Sequence, residues 1–143
     1  MNKDLEKAVQ LLKEYSEYTC VFVKGEVVFT SNRKGVAPLI AFLDEKKDVS
    51  GFALADRIAG KAAALLYIDL KVKEVYGEVM SVRGKEVLEK YHIPYTYQTL
   101  VEGIRNRTNT GSCPMEMAVQ DIEDPLLAPV ALKEAMARMR KGK

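Results

Sequence analysis

The chain has 143 residues, a net charge of +2, and 48% hydrophobic against 29% charged residues. That size and balance fit one domain around one core and exclude a disordered chain, and the small charge gives no reason to expect nucleic acid or a membrane surface as partner. The cysteines are Cys20 and Cys113 and the one histidine is His92, which excludes a disulfide framework and a cysteine-rich zinc site.

The first residues, MNKDLEKAVQLLKEYSEY, are charged throughout and predict neither a secretory signal nor an anchor. Leu5, Ala8, Val9 and Leu12 recur at helical spacing, so an amphipathic helix is expected over about 3–17 with Asn2 as its cap. Cys20–Lys24 and Glu26–Thr30, joined at Gly25, read as a β-hairpin. A turn over Ser31–Gly35 leads to a short helix over Val36–Leu43, entered near Pro38.

After a polar loop at Lys46–Ser50, the apolar Gly51–Ala55 predicts a short strand. Asp56 is then placed to cap a helix running to about Leu70. That segment is apolar on nearly all sides, as a helix buried against a sheet should be, and its run IAGKAAALLYIDL carries Lys61 and Asp69 and falls short of a membrane span. Glu74–Met80 reads as a strand, and a helix from Ser81 and Arg83 shows Val87, Leu88 and Tyr91 on one face. Pro94–Tyr97 predicts a short strand, Gln98–Gly103 a turn of helix, and Arg105–Ser112 a polar loop. Pro114 opens a short helix that Asp124-Pro125 breaks. In the last helix, about 127–141, Leu132, Ala135, Met136 and Met139 share a face, and Arg138, Arg140 and Lys141 suit its negative pole. No internal repeat and no linker divides the chain, so residues 1–143 are expected to form a single α/β domain, a three-layer α/β/α sandwich on a mixed sheet with an N-terminal hairpin.

Three groups of residues carry possible chemistry. The first is Thr110-Gly111-Ser112-Cys113-Pro114-Met115-Glu116. With Pro114 at the first helical position, Cys113 is the cap and Glu116 stands three residues on, as in a capping box. A thiol at a helix start feels the positive pole, which favours the thiolate. Gly111 lets the loop turn its amides inward as an anion nest. The plainer reading makes Cys113 a small buried hydrophobe at a loop end.

The second group is Arg57 and Lys61, four apart and therefore on one face of the expected helix. Two cations at the start of a buried helix suit a phosphate or carboxylate; a solvated helix end with Lys61 snorkelling suits them equally. The third is Asn106-Arg107, after Arg105, since Arg grips carboxylate or phosphate with paired hydrogen bonds; a solvated polar loop is the alternative. His92 reads as a helix-end residue, Glu78 as an exposed strand residue and Cys20 as core.

Four stretches, ADRIAGKAAALLY, VYGEVMS, LEKYHIPY and NRTNTGSCPMEMAV, together resemble the domain-of-unknown-function family 1893. The resemblance spans about Cys20 to Val119 and implies a cytidine-deaminase-like fold. Zinc deaminases begin their first core helix with His-x-Glu or Cys-x-Glu and their second with Pro-Cys-x-x-Cys. The corresponding starts in this sequence are Asp56-Arg57-Ile58-Ala59-Gly60-Lys61-Ala62 and Ser81-Val82-Arg83-Gly84-Lys85, with no ligand set. Zinc-dependent deamination is therefore not expected, and no cofactor is implied. If the fold holds, the starts near Asp56 and Arg83 converge, and Cys113 is expected to join them. The pocket would hold Arg57, Lys61, Arg83, Asn106, Arg107, Cys113 and Glu116, and would favour an anion.

The first expectation is thus a cytoplasmic domain binding a small anionic molecule. An enzyme with Cys113 as nucleophile, Glu116 as cap or proton carrier and Lys61 or Arg107 stabilising negative charge is the alternative. A protein-interaction module, a homodimer through the apolar helices, is the third.

Overall fold

The computed structural model describes residues 2–106 and 108–141. Helix α1 covers Lys3–Glu14, and the Asn2 side chain accepts the Leu5 N–H at 2.9 Å. Its stripe of Leu5, Ala8, Val9 and Leu12 is buried. The helix stops at Glu14 rather than near Glu17, where Tyr15 turns to extended backbone. Strands β1 (Cys20–Lys24) and β2 (Val27–Ser31) form the expected hairpin, with Gly25 at φ +60° in its turn. Helix α2 (Ala37–Asp44) follows.

The next element departs from expectation. Strand β3 runs through Ala53–Ala59, and helix α3 begins only at Lys61 and ends at Leu70. Asp56 is therefore no helix cap, and Arg57 and Lys61 do not share a helix face. The polar pair fits inside the sheet because each side chain finds buried partners there: Tyr67 for Asp56, and the end of α1 for Arg57. Gly60, in extended backbone and without a capping side chain, makes the strand-to-helix turn.

Strand β4 (Glu74–Ser81) leads directly into α4 (Val82–Lys90), whose first turn is capped by Ser81 accepting from Gly84 N–H at 3.0 Å. Strand β5 spans Tyr95–Val101. The helical turn expected at Gln98–Gly103 is instead mostly strand, since the β-branched and aromatic run continues the parallel ladder to Ser81↔Val101. Helix α5 is five residues, Pro114–Ala118; a 3₁₀ turn at Pro125–Leu127 precedes α6 (Ala128–Lys141).

The five strands lie in the order β2-β1-β3-β4-β5. The first three pair antiparallel, and β3–β4 and β4–β5 are parallel. The sheet is thus mixed and open, as expected, with helices on both faces. On one face α1 packs Leu5, Ala8, Val9 and Leu12 against Val21, Val23, Ala53, Ala55 and Tyr76. The other face carries the larger core, in which Phe22, Leu54, Val75 and Met80 meet α2, α3, α4 and α6. Helix α3 lies in its centre, with every residue from Lys61 to Tyr67 buried. Because β3, β4 and β5 are parallel, their C-terminal ends share one edge of the molecule. There α3 and α4 begin, the place where open α/β sheets hold ligands. Among the described residues no helix is long and apolar enough to cross a membrane.

Candidate functional site

The two helix starts touch. A methyl group on Gly84 would lie 2.5 Å from the Ala59 carbonyl oxygen and 3.0 Å from the Gly60 carbonyl carbon. The first turn of α4 therefore packs on the β3–α3 turn with no room for a side chain. The convergence expected from the sequence holds for the elements, with α3 entered at Gly60 instead of Asp56.

The segment after β5 folds back over this point. Arg105 and Ser112 form an antiparallel bridge, Asn106 N–H donates to Gly111 C=O at 2.9 Å, and Cys113 N–H donates to Ile104 C=O at 2.9 Å. Within the loop, the Asn106 side-chain oxygen accepts the Thr110 N–H at 2.9 Å, its amide donates to Thr110 Oγ1 at 3.1 Å, and Arg105 Nε donates to Asn109 Oδ1 at 3.0 Å. Asn106 and Thr110 thus hold the loop's shape. Gly111 has no positive φ. Arg107 lies outside the described residues.

The loop delivers Glu116 to the start of α3. Its Oε1 accepts Lys61 N–H at 2.7 Å and its Oε2 accepts Ala62 N–H at 2.8 Å. A carboxylate spans the first two amides of a helix that has no cap of its own, where the positive pole favours it. The capping box expected within α5 does not form, because Glu116 is engaged with another helix and Cys113 makes no side-chain cap bond. The fit is close: a methyl group on Gly60 would lie 2.3 Å from Glu116 Oε1 and 2.8 Å from Ile104 Cγ1.

Lys61 is 5% exposed. Its ammonium donates to Gln120 C=O at 3.1 Å and faces the exposed Glu123 carboxylate at 3.6 Å. It binds the chain beyond α5 to α3, so both the amide and the ammonium of this residue hold the C-terminal segment. Arg57 is elsewhere. It lies on the α1 face, donating to Glu78 Oε2 at 2.7 Å, Tyr18 C=O at 3.0 Å, Leu12 C=O at 2.6 Å and Tyr15 C=O at 3.3 Å. It ties the end of α1 to the sheet and does not join the expected pocket. Arg83 is exposed on the first turn of α4, at the same end of the sheet as Glu116. Cys113 is half-buried at the start of α5.

Two acidic positions differ from expectation: Asp56, expected as a helix cap and ligand contact, is a buried strand residue, and the sequence assigns Asp69 no role. Asp56 is buried under α3, where Tyr67 Oη donates to its Oδ2. Burial pushes its carboxyl up to about 7, against the Tyr67 hydroxyl and the Arg57 and Ile58 amides, which favour the anion. The buried Cys20 thiol is pushed well up by burial and then by Asp56. The signal was an aspartate inside the apolar run ALADRIA.

The other position is at the far end of α3. Asp69 lines an open cleft of about 460 Å³ with Leu43, Ile68, Tyr91, Asp124 and Leu126. Burial, and then Asp124, push its carboxyl up to about 7, and its buried Oδ2 has no hydrogen-bond partner among the described residues. Among those residues no three of His, Cys, Asp and Glu come together as a metal site.

The fold and this site define a small α/β protein whose parallel-strand end is filled by one of its own carboxylates. The chain belongs to the family described as "Domain of unknown function (DUF1893)", whose profile matches residues 7–136. Among solved structures it is similar to the crystal structure of a DUF1893 family protein, TM1506, from Thermotoga maritima. The TM-score is 0.82 at 19% identity, over 96% of this chain and 92% of that one. No curated protein matches the chain.

Proposed function

We propose that this protein binds a small molecule bearing a carboxylate or phosphate at the start of α3, and that Glu116 holds that place in the free protein. One observation carries the reading: the Glu116 carboxylate bridges Lys61 N–H and Ala62 N–H at 2.7 and 2.8 Å. Two convergent amides at a helix pole are a general anion receptor, and the receptor's present occupant is an anion on a five-residue helix behind a loop. An external anion competes with Glu116 for the same donors. Arg83 stands exposed at the same end of the sheet and adds a cation to its approach. The thiol-enzyme alternative gains nothing, because Glu116 is turned to α3 and His92 lies before β5, at the opposite end of the strand from Cys113.

The test is thermal unfolding of the wild type and of Glu116→Gln with inorganic phosphate and a panel of phosphate- and carboxylate-bearing metabolites. A ligand at a hundred times its dissociation constant stabilises by about 2.7 kcal/mol. Glu116→Gln should unfold earlier without ligand and gain more than the wild type with it, and Arg83→Ala should reduce the gain. If no compound stabilises either protein, Glu116 is a structural cap and the proposal fails.

A further inference from the structure

We propose that β5 is a self-association edge, pairing antiparallel with β5 of a second copy to make one ten-stranded sheet. This inference is independent of the anion reading. Strand β5 is the end of the sheet order, and β4 and α4 are the elements that pack on it. Among the described residues no strand pairs with its other side. Val75 N–H donates to Pro94 C=O at 3.0 Å. In a parallel ladder that pattern alternates. Thr96, Gln98 and Leu100 direct their N–H and C=O groups at β4, and Tyr95, Tyr97, Thr99 and Val101 direct theirs outward. Seven residues give roughly 23 Å of unpaired edge.

Proteins usually guard such an edge with charge, proline, a bulge or a covering element. Strand β5 reads YTYQTLV, with no charge and no proline inside it, and the ladder to β4 holds one register from Val75↔Tyr95 to Ser81↔Val101. Tyr97 and Leu100 are 38% and 36% exposed. In a two-fold antiparallel pair each residue near the axis meets its own copy or a close neighbour, so an uncharged strand is what self-pairing requires.

The flanks select the direction. Pairing Tyr97 with Tyr97 of the second copy brings Glu102 of that copy toward the turn between α4 and β5, which carries Lys90 and His92, and the symmetry repeats the approach. All three residues are exposed. The other edge, β2, is two residues shorter, and its flanks carry Lys24, Arg33 and Lys34 against the single Glu26. Self-pairing there gathers like charge.

The test is sedimentation equilibrium of the full chain, wild type against Thr99→Lys, with Thr30→Lys on β2 as control. The wild type should be a dimer that weakens with salt. Thr99→Lys should raise its dissociation constant at least about tenfold, and Thr30→Lys should leave it unchanged. Because Thr99→Lys disturbs a strand, Glu102→Lys serves as a second variant outside β5 with the same expected direction. Slow amide exchange at Tyr97 and Thr99, becoming fast on dilution, would place the contact. A monomeric wild type overturns the proposal, as does a dimer that both Thr99→Lys and Glu102→Lys leave intact or that Thr30→Lys breaks.

Discussion

Glu116 and Lys61 are joined across 55 residues of chain by a carboxylate-to-amide hydrogen bond of 2.7 Å. Glu116 does for α3 what Asn2 does for α1, from a remote helix. Replacing a capping oxygen costs about 0.5–2 kcal/mol, and this one is charged and satisfies two amides. Glu116→Ala should therefore sit at or above the top of that range, and Glu116→Gln lower, because one amide keeps an acceptor. Urea unfolding of the three proteins checks the order. Equal stability of Glu116→Ala and the wild type would mean that water serves the amides as well.

Arg57 should be the most sensitive charged residue on the α1 face. Its guanidinium donates to three carbonyls at or just beyond the end of α1 as well as to Glu78. Arg57→Met keeps the apolar stem and leaves those carbonyls without their donor, at an expected cost of about 2–4 kcal/mol. Glu78→Gln should cost less than about 1 kcal/mol, since the Glu78 side chain is 35% exposed and its ion pair is screened. The measurement is urea unfolding, with amide exchange of α1 to locate the loss. Equal costs would sink the assignment of Arg57 to the helix end rather than to the ion pair.

The elements legible in the sequence were those with one clear period. The stripe of Leu5, Ala8, Val9 and Leu12 gave α1, the Gly25 break gave the hairpin, and Pro114 gave α5. The β3–α3 boundary was not legible. ALADRIAGKAAALLY is apolar on every side as a helix and alternates poorly as a strand, and the polar pair Asp56-Arg57 imitates a helix start. What decides it is tertiary: Tyr67 and the end of α1 satisfy those side chains inside the sheet. The site was half legible for the same reason. Glu116 stands where a capping box would put it, and local spacing says nothing of a helix 55 residues away that lacks its own cap.

Stability should fall as pH rises from about 3.8 to about 7, and Asp56 should be the main cause. Its carboxyl titrates near 3.8 in an open chain and about 7 when buried under α3. The folded protein thus holds a proton that the unfolded chain has lost between those values. The stabilisation is complete below about 3.8 and gone above about 7. At about 1.36 kcal/mol per pH unit the difference is on the order of 4 kcal/mol. Asp56→Asn keeps an acceptor for Tyr67 Oη without the charge, so it should be more stable than the wild type at pH 8 and should remove most of the slope. The check is urea midpoints from pH 4 to pH 8; parallel curves for the two proteins would refute it.

Asp69 should show the same sign more weakly, and its origin should be separable. It lies in the last turns of α3, where the pole is negative, near Asp124 and in an apolar-walled cleft, so three effects oppose its charge. Its carboxyl also stands at about 7 and favours the folded state below that value, losing the contribution as pH rises through it. Because the group is half in solvent, the change should be smaller than at Asp56. Asp69→Asn should stabilise the protein most at pH 8, less at pH 5, and leave it nearly unchanged below about pH 3.8. The Asp124→Asn background should reduce that gain, since it removes the repulsion that Asp69→Asn relieves. Full additivity in the double variant would mean that burial alone raises the Asp69 carboxyl and that the two acids do not sense each other.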